Sequence, residues 1–377
     1  MAARLRANTR ATDTLSRFGG DEFAAIVGEV AEVADVVVVV DKLVAALREP
    51  FSIMGNDIFT DASIGIDMYG PDSADAESLL AHADVALYCA KADGRGTYRF
   101  FTGAMGAEVR TRVTLGEELR KAIDGNQFFL LYQPQVLTGT GQIVGLEALI
   151  RWRHPTRGIV APDTFIPVAE RTGMIGNLGH WVLWEACRQA RAWRDAGVPP
   201  MRIAVNVSAL QFRAPLALEA DIAAALAANG LATGALELEL TESALISASR
   251  EHDGLVQRLR RTGVTIAIDD FGTGYSSLDY LRRFPADRIK IAQGFVRHIE
   301  TMQGDVVIVK ATIGLAHALG IAVIAEGVET RAQFELLKNW GCGEIQGYYF
   351  AKPLAPDTVA RLLRAGGVID PLAAVVA

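Results

Sequence analysis

The chain has little sulfur chemistry on offer. It holds three cysteines, Cys89, Cys187 and Cys342, far apart and with no CxxC. A disulfide framework is therefore excluded, and the thiols read as buried or inert groups in a reducing compartment. The six histidines do not cluster, which argues against a zinc site. Long apolar runs are missing too. The densest, Val36 to Val40, is closed by Asp35 and Asp41, well short of the roughly 18–20 residues that span a membrane. Met1 opens no secretory signal. A soluble, cytoplasmic chain is expected, and a sensor or anchor upstream of Met1 would not be visible in it. Positive charge is also in deficit, with 37 Lys and Arg against 44 Asp and Glu and a net charge of -7. That balance excludes non-specific hold on long nucleic acid, which needs a broad basic face. A small anionic ligand gripped by a few arginines remains open.

What is present is a globular composition: 377 residues, 50% hydrophobic, enough for two or three domains. Six strand-like apolar runs in the last two-thirds each end in a polar group: IVGLEALI with Glu147, IAVNVS with Asn206, LELELTES with Glu242, VTIAIDDFG with Asp269 and Asp270, IKIAQGF with Lys290, and AVIAEGVE with Glu326. Helical periodicity separates most of them. Strand, helix, strand, with chemistry at the strand exits, is the plan of an α/β, (β/α)8 TIM-like barrel. Acids and an amide converging on one mouth repel each other unless a cation sits among them, and an all-oxygen set suits Mg2+ or Mn2+.

Eight strands are expected near 128–134, 143–150, 202–208, 236–241, 264–269, 287–291, 321–326 and 344–349. Only the turn around TGTGQ joins the first two, so they should pair antiparallel. Leu178, Val182, Ala186, Ala190 and Trp193 recur at helical spacing before Gly197, which predicts a helix between the second and third strands. Residues 103–115 read as a linker leading into a helix. Residues 1–102 form a separate α+β segment. In it RFGGDEFAAIVG predicts two strands around a tight Gly-Gly turn, residues 31–48 a helix, SIGIDMY a short strand, and ESLLAHADVALYCAKADG a helix stopped by Gly94.

Taken singly, the polar residues have ordinary readings. Asp269 and Asp270 could form an Asx-type turn capping the next helix. If both serve one site, the chain must turn at once, because successive side chains of a strand point to opposite faces; Gly272 and Gly274 would allow that turn. Asn206 could be a helix N-cap, Glu242 a charge at a helix N-terminus, Arg151 an ion-pair partner, Glu326 turn chemistry before Gly327, and Lys290 a solvated surface group.

Together with Tyr132-Gln133-Pro134, Glu147 through Trp152, Asn206-Val207-Ser208, Glu239 through Ser243, Asp269 through Leu278, Ala325 through Glu329 and Gln346 through Phe350, the pattern over residues 116–367 resembles the EAL-domain phosphodiesterases, which hydrolyse cyclic di-GMP. Residues 1–102 resemble the C-terminal part of a GGDEF domain, the module of diguanylate cyclases, through Gly19-Gly20-Asp21-Glu22-Phe23 and the Ala86 to Gly96 stretch. Arg10 and Asp13 stand at the spacing of that family's product-binding RxxD site, a possible regulatory site.

The resemblance implies metal-dependent hydrolysis of cyclic di-GMP to linear pGpG. Glu147, Asn206, Glu242 and Asp269 would ligate one divalent cation, and Asp269 and Asp270 a second. Lys290 and Glu326 would be catalytic, acting on the attacking water. Arg151 would grip a phosphate, with Gln133, Leu149 and Gln346 lining the substrate pocket. It implies a homodimer with cyclic di-GMP as its small-molecule partner. Two departures matter. The family's Lys-Ile-Asp motif reads Lys290-Ile291-Ala292, which removes one carboxylate from the Lys290 face and raises an alternative, a catalytically impaired receptor or scaffold. The GGDEF-like segment lacks its first half, so synthesis of cyclic di-GMP is not expected.

Overall fold

A computed structural model describes residues 1–369 apart from 29, 31, 32, 54, 71, 72, 74, 233, 243, 246–253 and 274–285. Gly274 and Ser243, both within the motifs above, thus lie outside the described residues. The chain divides into two compact units, Met1–Thr114 and Leu115–Ala377.

In the first unit, strands β1 (Thr14–Gly19) and β2 (Glu22–Ile26) form the expected hairpin. Its turn differs from expectation. Gly19 pairs with Glu22, so the central residues are Gly20 and Asp21, and Gly20 alone supplies positive φ, at 50°. The helix Val33–Arg48 buries Val36, Val39, Val40, Leu43 and Leu47, the i, i+3, i+4, i+7, i+11 signature of one apolar face. Strands β3 (Phe51–Ile53) and β4 (Asn56–Ile58) form a second hairpin. Strands β5 (Ile64–Ile66) and β6 (Tyr98–Phe100) run parallel, joined through the helix Ala76–Ala92, which a reciprocal Asp75–Ser78 capping box starts. Residues 103–115, expected as a linker, are part of one helix, Gly103–Asp124.

The second unit is the barrel. Strands β7 (Phe128–Leu137), β8 (Ile143–His154), β10 (Arg202–Asn206), β11 (Leu236–Thr241), β12 (Thr265–Phe271), β13 (Arg288–Ile291), β14 (Ala322–Ala325) and β15 (Glu344–Ile345) close on one another, with β8 pairing to β10 and β15 to β7. β7 runs antiparallel to both its neighbours, as the short TGTGQ turn requires. The remaining pairs are parallel. β8 extends past its expected end to pair with β9 (Gly158–Val160), a hairpin with no clear periodic signal. β15 is shorter than expected. At Gly347 the chain crosses so close to Val328 that a Cβ would lie 2.1 Å from the Val328 carbonyl oxygen. The helix Ile175–Asp195 buries Leu178, Val182, Ala186 and Trp193 as the spacing predicts.

The barrel interior is polar at both ends. At the floor, toward the strand N-termini, Arg288 donates to Glu237 (2.7 Å) and twice to Glu344 (2.8 and 3.1 Å), and Arg202 contacts Gln135 (2.8 Å) and Glu344 (3.3 Å). Two cations and two anions close this network on themselves. The other end carries the chemistry. Among the described residues, no helix is long and apolar enough to cross a membrane.

Candidate functional site

The mouth is assembled from residues midway along β7 and β8 and at or near the ends of the strands that follow. Gln133 on β7 stands in register with Glu147 on β8. Asn206 ends β10, Glu239 lies on β11, Asp269 and Asp270 on β12, and Lys290 on β13. Glu326 and Gln346 each follow one residue after a strand, β14 and β15.

Lys290 is the hub. It is fully buried, with its Nζ 2.7 Å from Glu239, 2.7 Å from Glu326, 3.2 Å from Asp269 and 3.9 Å from Glu147. The solvated-surface reading of this lysine is thereby overturned. Burial opposes its charge, yet the surrounding carboxylates outweigh burial and hold its pKa well above the ordinary lysine range. One ammonium cannot balance four acids. Burial, then Glu147, with Asp269 and Glu326 adding, raise Glu239 well above the carboxylate range against the pull of Lys290. Glu326 is pushed up to about 8 by burial, with Asp269 and Glu147 adding and Lys290 opposing. Glu147 goes the other way. Burial is outweighed by Lys290 and by amide donors, and its pKa falls. Its Oε1 accepts from Asn206 Nδ2 at 2.7 Å and its Oε2 from Gln346 Nε2. Gln346 also donates to Gln133 Oε1 (3.2 Å), and Gln133 donates to the Ala351 carbonyl (3.2 Å). The helix-cap reading of Asn206 fails as well, since no described backbone N–H donates to its amide oxygen while its Nδ2 is turned to Glu147.

Glu239 was missed by the sequence reading, which placed Glu242 among the metal ligands. Strand alternation sends Glu237 and Glu239 into the barrel, one to the floor and one to Lys290. Glu242 lies just past β11, and its Oε2 accepts from the backbone N–H of Gly272 at 3.2 Å. It braces the exit of β12, and it has no ion pair with Lys290. The only sequence signal for Glu239 was parity within LELELTE, and parity alone gives Glu237 the same standing.

Asp269 and Asp270 do converge, by a different device from the one expected. Ile268 to Phe271 on β12 faces Ile289 to Ile291 on β13, a one-residue bulge. Asp270 itself takes positive φ, 50°, and its N–H donates to Asp269 Oδ1 at 2.9 Å. An aspartate tolerates this left-handed conformation better than most side chains. The glycine at 272, φ 93°, continues the turn rather than starting it. Burial first, then Asp269, raises the pKa of Asp270.

Asp269, Asp270 and Glu326 each present a carboxylate oxygen within 4.8 Å of the others. Glu239 Oε1 and Glu242 Oε1 are buried with no hydrogen-bond partner. An oxygen-rich, electron-dense set of this kind fits a hard divalent cation. Arg151 and Leu149 lie on the same face of β8 as Glu147 and are half-buried. Arg151 donates to its own neighbour's carbonyl, Ile150, at 2.8 Å, and no carboxylate among the described residues pairs with it. Burial lowers its pKa, opposed by Tyr348, Glu147 and Asp163. Ala292 is buried and serves as N-cap of the helix Gln293–Arg297 without a side-chain bond. An Asp at this position would stand at the N-terminus of that helix.

Arg10 and Asp13 belong to the first unit. Asp13 is buried, and its Oδ2 accepts from the Arg10 backbone N–H at 2.7 Å, while the Arg10 side chain is exposed. The carboxylate is thus folded back on its own turn.

Residues 116–353 match the EAL domain family, and residues 1–97 match the family described as diguanylate cyclase, GGDEF domain. The bifunctional diguanylate cyclase/cyclic di-GMP phosphodiesterase MucR of Pseudomonas aeruginosa is 43% identical over 360 residues, which are 95% of this chain and 52% of MucR. The cyclic di-GMP phosphodiesterase NbdA of the same organism is 40% identical over 366 residues, 97% of this chain and 46% of NbdA. The chain thus spans about half the length of the curated relatives it matches. The solved complex of the PaMucR phosphodiesterase with c-di-GMP is similar at a TM-score of 0.63 and 43% identity, covering 65% of this chain and 99% of that one.

Proposed function

The chain belongs to the EAL-domain family, and from that membership we propose that it hydrolyses one phosphodiester of cyclic di-GMP to linear pGpG in second-messenger signalling. The observation that carries the reading is Lys290, buried among four carboxylates at the C-terminal mouth of the barrel. The working domain is residues 116–367, with 103–115 leading into it and a partial GGDEF domain over 1–102. Mg2+ or Mn2+ would be held by Asp269, Asp270 and Glu326, and by Glu147, Asn206 and Glu239, with Glu239 taking the place first assigned to Glu242. When bound, such cations polarise phosphoryl oxygens and acidify water. Arg151 would hold a phosphate through its guanidinium fork, with Gln133, Leu149 and Gln346 placing the rest of the dinucleotide. Lys290 would orient the attacking water by donating to it, and Glu326, ionised once a cation is held, would accept its proton. The water oxygen would bond to phosphorus as the bond to the 3′ oxygen breaks; that oxygen would leave as a hydroxyl by taking a proton from solvent, and Glu326 would return its own proton to solvent. A cytoplasmic homodimer fits this role.

Occupancy by a cation should be coupled to protons. Glu326 is pushed up to about 8, so near pH 7 it is largely protonated and must ionise to ligate. Mn2+ binding is therefore expected to release protons at pH 7, and affinity to fall by about tenfold per pH unit below 8 for one released proton. Calorimetry in two buffers of different ionisation enthalpy measures this. Identical heats in both buffers would contradict it.

Ala292 favours a second reading, a receptor that binds cyclic di-GMP with little turnover. Ala292→Asp separates the two. The new carboxylate would stand at the N-terminus of the helix Gln293–Arg297, two residues past Lys290. Faster turnover in the variant supports the enzyme. Ligand binding with no turnover in either protein supports the receptor.

A further inference from the structure

Asn206 is one of three residues in the Asn206-Val207-Ser208 motif, and the function above uses only the first. The geometry points to Ser208, Glu170 and Gln211 as positioning residues that hold Asn206 in ligating orientation. This inference rests on the reading of Asn206 as a metal ligand. β10 ends at Asn206, which is exposed at the mouth, where a strand exit has nothing regular to fix it. Two anchors do so. The Val207 N–H donates to the Glu239 carbonyl at 2.9 Å, tying the exit to β11. Ser208 is then gripped on both sides. Its hydroxyl donates to Glu170 Oε1 at 2.7 Å, and its N–H donates to Gln211 Oε1 at 3.0 Å. Glu170 stands near the end of the helix Pro162–Arg171.

Gln211 reaches Ser208 by lying flat across Gly179. A Cβ at Gly179 would fall 2.1 Å from Gln211 Nε2, so any side chain there displaces the amide. Three segments, around Glu170, Gly179 and Ser208 to Gln211, therefore meet at this loop. With the loop held, Asn206 Nδ2 meets Glu147 Oε1, and its amide oxygen is left to serve a cation. Partners that orient a ligand in this way typically govern about 10–100-fold in metal affinity.

The test titrates Mn2+ calorimetrically into the wild-type protein and into Glu170→Ala, Ser208→Ala, the double variant and Glu170→Gln, with melting followed in EDTA. The two alanine variants should each lose about tenfold in Mn2+ affinity. The double variant should lose no more than either single, because both remove the same contact. Glu170→Gln should retain wild-type affinity, because its amide oxygen still accepts from Ser208. Melting in EDTA should stay close to wild type in all. Alanine variants with undiminished affinity overturn the inference, as do losses that only track a fall in melting temperature. A wild-type protein with no Mn2+ affinity overturns the metal reading itself, and this inference with it.

Discussion

Lys290→Met should destabilise the metal-free protein by about 3–5 kcal/mol and slow turnover by about 10²–10⁴. Methionine keeps the length and apolar stem of lysine but leaves Glu239, Glu326, Asp269 and Glu147 facing one another without a counter-charge. The stability effect should be fully present at pH 7. The folded pKa of Lys290 lies above its unfolded value, so its contribution is complete below about 10.4 and is lost only as pH rises through the folded pKa. Urea unfolding in EDTA reads the first effect and product formation the second. Mn2+ should recover part of the lost stability, since a cation supplies the missing charge to the same acids. A variant as stable and as active as the parent would remove Lys290 from the centre of the account.

Arg288→Met should cost as much stability, about 3–5 kcal/mol, while leaving Mn2+ affinity intact. At the barrel floor it strands Glu237, which is wholly buried, and Glu344, with Arg202 as their only cation among the described residues. The double variant Arg288→Met, Glu237→Leu should recover most of the loss, because apolar residues of similar volume replace a buried pair at little net cost. The contrast between floor and mouth is the useful part. The same chemistry, an acid and a base in the barrel interior, closes on itself at one end and lines the proposed cation site at the other. If the floor variant lost Mn2+ affinity as steeply as stability, the two ends would not be independent.

Much of this was legible from the residues. Strands buried on both faces read as apolar runs, so a single polar residue at a run's end marks an exit into the mouth. That logic points to Glu147, Asn206, Asp269, Lys290 and Glu326 as mouth residues. It failed where the answer depended on the third dimension. Glu237 and Glu239 have equal parity on β11, and only the length of the barrel separates floor from mouth. Asp270 turns through its own positive φ, where the glycines that follow drew attention to themselves. β15 stops after Ile345 because Gly347 crosses the Val328 backbone, a tertiary constraint that an apolar run does not announce. Residues 103–115 carry the small residues of a linker, yet they continue a helix whose later turns bury Leu115 and Leu119.

The most direct measurement is product analysis. The protein is incubated with cyclic di-GMP and Mn2+, and the nucleotides are resolved by mass spectrometry. The account predicts linear pGpG, formed with Mn2+ and absent with EDTA. Intact cyclic di-GMP after prolonged incubation with enzyme in stoichiometric excess would contradict it.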